Sequence, residues 1–174
     1  MERKKWFDKK FQFDLTPDKY SSLLKKLNET PHTIFRLVSS LDEKVLIKRV
    51  DNRWSIKENV GHLIDLEELH DGRIDDFIAG KEILRPADLN NQKTNEANHN
   101  SKNINDLTER FKNVRENFVK RMRSLDVKIL SSSSKHPRLK QPMRPIDMAQ
   151  FVLEHDEHHL DIIKELIKSV NSEN

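Results

Sequence analysis

Three of the eight histidines of the chain lie close together in the stretch EHDEHHLDII, from Glu154 to Ile163. His155 and His159 are four residues apart, and side chains at this spacing are neighbours on one face of a helix. Two imidazoles on one helical face can bind the same metal ion. His158 lies about 100° around the helix from His159. Because a free imidazole has a pKa of about 6.5, His158 is a candidate catalytic proton carrier, with a solvent-facing residue as the alternative.

The positions of His155 and His159 within the helix set them apart from ordinary surface residues. They continue a stripe of apolar residues at alternating steps of four and three, which is typical of the buried face of a helix. The other members of this stripe are Met148, Val152, Ile162 and Leu166. Buried polar groups need partners, and a metal ion would supply them. The alternative is that both histidines are ordinary polar residues of a charged helix.

A third metal ligand is predicted much earlier in the chain, in the sequence GHLID. His62 shares a predicted buried stripe with two leucines, and Asp65 lies close to the same helical face. Three histidines leave a coordination position open for water, which is typical of catalytic zinc sites. Asp65 is the candidate carboxylate that orients a ligand histidine from behind, and we assign it to the catalytic group with His158. His70 lies about 80° around the helix from His62 and is predicted to be partly exposed, without a role.

Four long helical segments must position these residues. They are predicted over about residues 18–41, 55–79, 104–125 and 145–170. The first is expected to break near Pro31, because proline removes a backbone donor. The second should begin after Ser55, which forms a capping box with Glu58, and should end near Gly80.

The connections between these segments complete the predicted fold. Residues 81–103 and 126–144 are too long for tight turns, and we interpret them as crossover loops. Four long helices with two such loops predict an all-α protein, a four-helix bundle. The chain length favours a single domain over residues 1–174.

Composition excludes several classes of function. The chain has no cysteine, so it has no disulfide, thiolate metal site or thiol nucleophile. The opening residues predict no signal peptide, and the sequence contains no apolar run of membrane-spanning length, so we expect a cytoplasmic protein without a membrane partner. The 32 basic residues are mixed with 29 acidic ones. This mixture of charges indicates that the protein does not bind nucleic acid, although a basic nucleic-acid binder remains the alternative.

Three stretches resemble one known family. WSIKENVGHLIDLEELHDGRIDDF, FVLEHDEHHLDII and LNETPHTIFRLVSSL are similar to segments of the DinB-like, YfiT-like superfamily of four-helix-bundle metal-dependent enzymes. The resemblance covers nearly the whole chain. Matched residue by residue, it places His62, His155 and His159 on the metal-ligand positions. His158 falls on the histidine just before the last ligand.

The resemblance implies a function as well as a fold. It implies a bundle, often a homodimer, with a divalent metal in a cleft near one end, and known activities in the superfamily include thiol transfer. We therefore expect a metal-dependent hydrolase or thiol S-transferase that acts on a small molecule, such as a low-molecular-weight thiol. Zinc and nickel are the expected metals, and all-nitrogen ligation also suits copper and iron. The alternative is a stress-related module that binds a metal or ligand without turnover.

The predicted loops also carry groups that suit an anionic substrate. These candidates are His99, His136, Arg138 and Arg144. They lie in segments that flank the helices with the predicted ligands. The alternative for each is a loop residue that faces water.

Overall fold

The computed structural model describes residues 6–171, and seven α-helices lie in this range. In chain order they are α1 (Tyr20–Val38), α2 (Glu43–Ile47), α3 (Ile56–Ile78), α4 (Gln92–Glu96), α5 (Ile104–Arg123), α6 (Val127–Leu130) and α7 (Pro145–Asn171). The 3-10 turns are Trp6–Asp8, Pro17–Lys19 and His99–Ser101. The strands β1 (Ser134–Lys135) and β2 (Pro142–Met143) pair antiparallel. No helix within residues 6–171 is both long and apolar enough to cross a bilayer.

The four long helices α1, α3, α5 and α7 form a four-helix bundle, which confirms the predicted fold class. α5 and α7 each pack against both α1 and α3, so α1 and α3 occupy opposite corners. Residues 39–55 and 124–144 therefore each connect helices at opposite corners. Residues 79–103 connect the neighbours α3 and α5, and α4 within this segment packs against α3.

α1 continues without interruption through Pro31, so the predicted break at this residue is wrong. Proline has no N–H to donate, and the carbonyl oxygen of Leu27 therefore loses its helical partner. The guanidinium of Arg115, on α5, supplies the missing donor, with Nη1 3.2 Å from that oxygen. A buried side chain from a neighbouring helix thus satisfies the acceptor that the proline leaves open.

α3 begins and ends as the sequence predicts. The Ser55 hydroxyl accepts a hydrogen bond from the Glu58 amide at 3.2 Å, and the Glu58 carboxylate accepts one from the Ser55 amide at 2.9 Å. Gly80 follows the helix with a φ of 62°, a left-handed conformation that favours glycine. This capping fixes where the helix starts, and with it the inward direction of His62.

The core consists of two apolar layers with a polar layer between them. One apolar layer contains the end of α3 and the start of α7, and the other contains the start of α3 and the end of α7. Three fully buried charged residues lie between the layers: Glu67 on α3, Arg115 on α5 and Asp156 on α7. Buried charges are costly unless they are paired, and Arg115 pairs with both carboxylates.

Arg115 is the centre of this polar layer. Its Nη2 lies 2.7 Å from Glu67 Oε1 and 3.1 Å from Asp156 Oδ1. His70 Nδ1 lies 3.3 Å from the same Glu67 oxygen. Burial alone would raise the pKa of Glu67, but the charge of Arg115 and the hydrogen bond from His70 lower it to about 2. With the contact to Leu27, Arg115 links all four long helices.

Candidate metal centre

Three buried histidines meet between α3 and α7. The structure brings together His62, His155 and His159, and one ring nitrogen from each lies within 4.8 Å of the others. The ring centroids are 4.6 to 5.4 Å apart. Three imidazole nitrogens at this spacing can hold one metal ion and leave a coordination position open.

A threonine of the short helix α4 orients the ring of His62. Thr94 Oγ1 donates to Asp65 Oδ2 at 3.0 Å. Its single proton is used there, so it accepts at 3.2 Å from His62 Nδ1. His62 therefore carries its proton on Nδ1 and keeps the lone pair of Nε2 for the cluster.

Asp65 lies behind His62, where it also contacts His99. The His99 Nε2 atom is 2.8 Å from Asp65 Oδ2. Burial alone would raise the pKa of Asp65, but the hydrogen bond from His99 and its charge lower it. Gly61 permits this arrangement, because a Cβ atom on that residue would lie 2.2 Å from the ring of His99. The carboxylate is thus held ionised, as an acceptor for Thr94.

Asn59 orients the ring of His159 in a similar way. The Asn59 side-chain amide donates to the Ser55 carbonyl oxygen at 2.8 Å and to that of Trp54 at 3.2 Å. Its Oδ1 atom therefore faces His159 Nδ1, at 2.8 Å. Since an amide oxygen only accepts, His159 Nδ1 carries the proton, and Nε2 is the unprotonated nitrogen of the neutral ring.

His155 is the least satisfied of the three. Its Nδ1 atom is buried and has no hydrogen-bond partner among residues 6–171. Trp6 packs edge-on against its ring, with centroids 4.9 Å apart. A buried polar atom without a partner is unfavourable, and a metal ion would give this ring a polar partner that the described chain does not. The donor set therefore fits a metal.

The environment favours the uncharged form of two of the three rings. Burial lowers the pKa of His62 to about 4. The pKa of His155 lies well below its usual range, first because of burial and then because of the neighbouring His159 and His62. Metal ions bind neutral imidazole. Both rings are therefore ready to bind a metal at neutral pH without releasing a proton.

The cluster lies at the wall of a cavity of about 590 Å³, a volume typical of small-molecule sites. Trp54 packs against His62 with ring centroids 4.7 Å apart. Further apolar lining comes from Leu66, Leu69, Phe151 and Ile162. The cavity therefore presents polar nitrogen atoms within a mostly apolar wall.

The two residues predicted as catalytic occupy different places. His158 lines the cavity beside the cluster, and its ring lies 5.4 Å from that of His159. Asp65 is absent from the lining of this cavity and reaches His62 through Thr94. One candidate thus has access to a ligand in the cavity, and the other acts on the ring behind it.

The four loop candidates for an anionic substrate divide in the same manner. His136 and Arg138 line the cavity. His99 lies behind Asp65, and Arg144 donates to Asp147 and to the Leu15 carbonyl oxygen. Only the first two are placed to meet a molecule in the cavity.

His70 is buried, so the prediction of partial exposure is wrong. Its exposed fraction is 3%, and its ring lies 6.0 Å from the ring of Phe118 on α5. The ring contacts Glu67 and also lines the cavity. Its angular distance from His62 did not imply exposure, since α3 is buried around most of its circumference.

Three residues of the site were not identified from the sequence. Asn59 precedes His62 by three residues, so extending the buried stripe backward could have found it. Thr94 lies in a connecting segment whose sequence has no hydrophobic periodicity, so its position could not be predicted. Arg73, which lines the cavity from α3, was indistinguishable from the other charged residues of that helix.

The link between Thr94 and His62 predicts a measurable effect on metal affinity. We expect Thr94→Val to weaken metal binding about 10–100-fold, because it frees the His62 ring and leaves the Asp65 carboxylate short of a donor. Competition with a chelating dye measures this. Thr108→Val is the control, since Thr108 is equally buried but donates to the Ile104 carbonyl within α5. Equal affinities of the two variants would contradict the orienting role.

The chain is similar to known proteins in sequence and in fold. The family model of the DinB superfamily matches residues 12–163. None of the curated protein sequences compared matches the chain. Among solved structures, YfiT from Bacillus subtilis is similar, and it is described as a probable metal-dependent hydrolase with an unusual four-helix bundle topology. The TM-score is 0.81 at 17% identity, over 94% of this chain and 94% of that chain.

A second solved structure shares the fold more distantly. The mycothiol-dependent maleylpyruvate isomerase gives a TM-score of 0.65 at 11% identity. The match covers 85% of this chain and 61% of that chain. At such identities the two matches show a shared fold only.

Proposed function

This chain belongs to the DinB superfamily, and from that premise and its buried histidine cluster we propose that it is a divalent-metal-dependent enzyme. The proposed ligands are His62, His155 and His159. The proposed reaction is either hydrolysis of a small molecule or transfer of a thiol to one. The small molecule binds in the adjoining cavity. The observation that carries the proposal is the convergence of three ring nitrogens within 4.8 Å.

The cluster and its surroundings support this function. A divalent metal held by three neutral imidazoles would lower the pKa of a bound water or thiol and so supply a nucleophile at neutral pH. Asn59 and Thr94 hold two of the rings with Nε2 toward the cluster. The apolar lining limits water around a bound substrate, which strengthens electrostatic interactions there.

His158 is the proposed proton carrier. It is partly exposed, lines the cavity and lies beside His159, so it can exchange protons with a ligand and with solvent. Asp65 is the proposed positioning residue, which acts on His62 through Thr94. In this proposal His158 contacts the substrate, whereas Asp65 holds a metal ligand in place.

The descriptions of the two similar structures support separate parts of this proposal. One is described as a probable metal-dependent hydrolase and the other as a mycothiol-dependent isomerase. We propose that the substrate or co-substrate is a low-molecular-weight thiol, and that the metal is zinc or nickel. A single domain, a homodimer and a cytoplasmic location, with no nucleic-acid partner, complete the proposal.

A module that binds a metal without turnover is the second candidate function. One observation favours it: among the described residues that line the cavity, Asp88 is the only carboxylate. Both of its oxygens already accept backbone hydrogen bonds, from Asn90 and Gln92. A carboxylate general base is therefore missing from the cavity, and reproducible metal-dependent turnover of ester, amide or thiol-conjugation substrates would exclude this candidate.

Metal analysis of purified variants tests the proposed ligands. We expect His155→Ala and His159→Ala to lose bound metal, because the two imidazoles that remain hold the ion far less tightly than three. Elemental analysis after dialysis against trace zinc measures the stoichiometry. His158→Ala is the matched control and should retain one metal per chain while losing turnover. Full metal content in both single variants and in the double variant would refute the proposal.

A further inference from the structure

The cavity has a second polar region, away from the histidine cluster. Arg73 on α3 and the loop residues His136 and Arg138 line it. Phe151 marks its position on α7, since the ring of Phe151 lies 5.1 Å from the ring of His136 and 5.9 Å from Arg138 Cζ. These three polar residues have no part in the proposed metal chemistry.

His136 offers one hydrogen-bond donor that the described chain does not use. Its Nδ1 atom accepts from the backbone amides of Arg138 and Leu139, at 3.2 and 3.1 Å. The ring proton must therefore be on Nε2. That atom is buried and has no partner among residues 6–171, and the whole residue is 2% exposed. A buried donor of this kind indicates a missing acceptor.

Arg138 is a cation without an anionic partner among the described residues. Its guanidinium lies over the rings of Phe7 and Phe151, and its Nη2 atom is buried without a hydrogen-bond partner among the described residues. Burial lowers its pKa, but an arginine stays charged at neutral pH. The two aromatic rings hold the guanidinium in place and leave its donors for another molecule.

Arg73 adds a second buried cation to this region. Its Nε and Nη2 atoms both donate to the carbonyl oxygen of Arg85, at 3.1 Å. Burial lowers the pKa of Arg73 to about 10, so the side chain remains protonated at neutral pH. No carboxylate of residues 6–171 lies within ion-pair distance of either Arg73 or Arg138, whereas surface arginines such as Arg121 pair with acidic neighbours.

We propose that Arg73, His136 and Arg138 form an anion subsite, and that the substrate is an acid whose carboxylate or phosphate binds there. Planar guanidinium groups and a neutral N–H are suited to the oxygens of such groups. The inference rests on the proposed function, because it takes the same cavity as the substrate site. It adds the chemical class of the substrate, which is a molecule with its reacting group at one end and an acidic group at the other.

The helices give the separation between the two ends. Phe151 precedes His155 by one turn of α7, and Arg73 follows His62 by three turns of α3. The anion subsite therefore lies about 6–16 Å along the bundle from the histidine cluster. A substrate must have a spacer of several bonds between its reactive group and its acid.

Paired probe compounds can test the subsite. Mercaptohexanoate and mercaptohexanol have a thiol that binds zinc and differ in the far group, a carboxylate or a neutral alcohol. Their affinities are measured by calorimetry with zinc-loaded and metal-free protein. We expect wild-type protein to bind the carboxylate about tenfold more tightly or better, since a charge-assisted hydrogen bond contributes at least that factor.

Variants assign the preference to the named residues. Arg138→Gln removes the cation, and His136→Asn keeps an acceptor for the two backbone amides while it removes the Nε2 donor. Both should reduce the carboxylate preference several-fold. Arg36→Gln is the control for net charge, because Arg36 is exposed on α1 and, within residues 6–171, its side chain donates only to Thr33. It should keep the wild-type preference.

The outcomes separate this inference from the proposed function. A preference below about twofold in wild-type protein, or one unchanged in both variants, would overturn the anion subsite, as would an absence of binding by both compounds. If the protein still prefers the carboxylate but zinc increases the affinity of neither compound, the anion subsite is supported and the metal proposal fails. If zinc increases the affinity of both compounds equally and the protein does not prefer the carboxylate, the metal proposal is supported and the anion subsite fails.

Discussion

Replacement of Arg115 by methionine is expected to lower the free energy of unfolding by about 3–5 kcal/mol. The substitution leaves the carboxylates of Glu67 and Asp156 buried without their cation, and it leaves the Leu27 carbonyl oxygen without a donor. Domains of this size are stable by about 5–15 kcal/mol, so the loss is a large fraction of the total. Urea denaturation of metal-free protein, followed by circular dichroism, measures it.

Arg121 provides a matched control on the same helix. It also bridges two carboxylates, those of Asp71 and Asp75, but its side chain is 30% exposed. Solvent screens such pairs, and we expect Arg121→Met to cost about 0–1 kcal/mol. If the two variants lost the same stability, the polar layer would contribute no more than a surface ion pair.

Metal removal is expected to lower the stability of the wild-type protein by about 4 kcal/mol when the comparison is made at free zinc a thousand times above Kd. The reason is that the three proposed ligands come together only in the folded chain, so zinc binds the native state in preference to the unfolded one. Denaturation with zinc and after treatment with a chelator measures the difference.

The His155→Ala variant supplies the control for that experiment. It removes the ligand whose Nδ1 atom lacks a partner within residues 6–171, and its stability should change little with zinc. A zinc-dependent gain as large as that of the wild-type protein would mean that the metal binds elsewhere. The proposed ligand set would then be incorrect, whatever the activity of the protein.

The sequence predicts the fold and the convergence of the three histidines because both depend on helical periodicity. His155 and His159 interrupt an apolar stripe on α7, and His62 does the same on α3. Two stripes that face one core must meet. The capping box at Ser55 and the terminal Gly80 are local features, so the limits of α3 were also predictable.

Contacts between distant segments explain what the sequence did not predict. Pro31 stays within α1 because Arg115, far along the chain, satisfies Leu27. His70 is buried because its ring packs near Phe118 on α5. The position of Thr94 beside His62 depends on a connecting segment without periodicity. Local patterns cannot predict such contacts, since each depends on the path of a connection.

The diagonal placement of α1 and α3 has a consequence for the order of folding. Of the three pairs of consecutive long helices, only α3 and α5 pack as neighbours, so the bundle cannot assemble by adding one helical hairpin after another. Asn59 and His159 are in contact although they are 100 residues apart, and closing such a long loop is slow and entropically costly. We therefore expect the complete histidine cluster to form late, after α7 has docked. A metal ion would then stabilise the finished bundle and would not nucleate it.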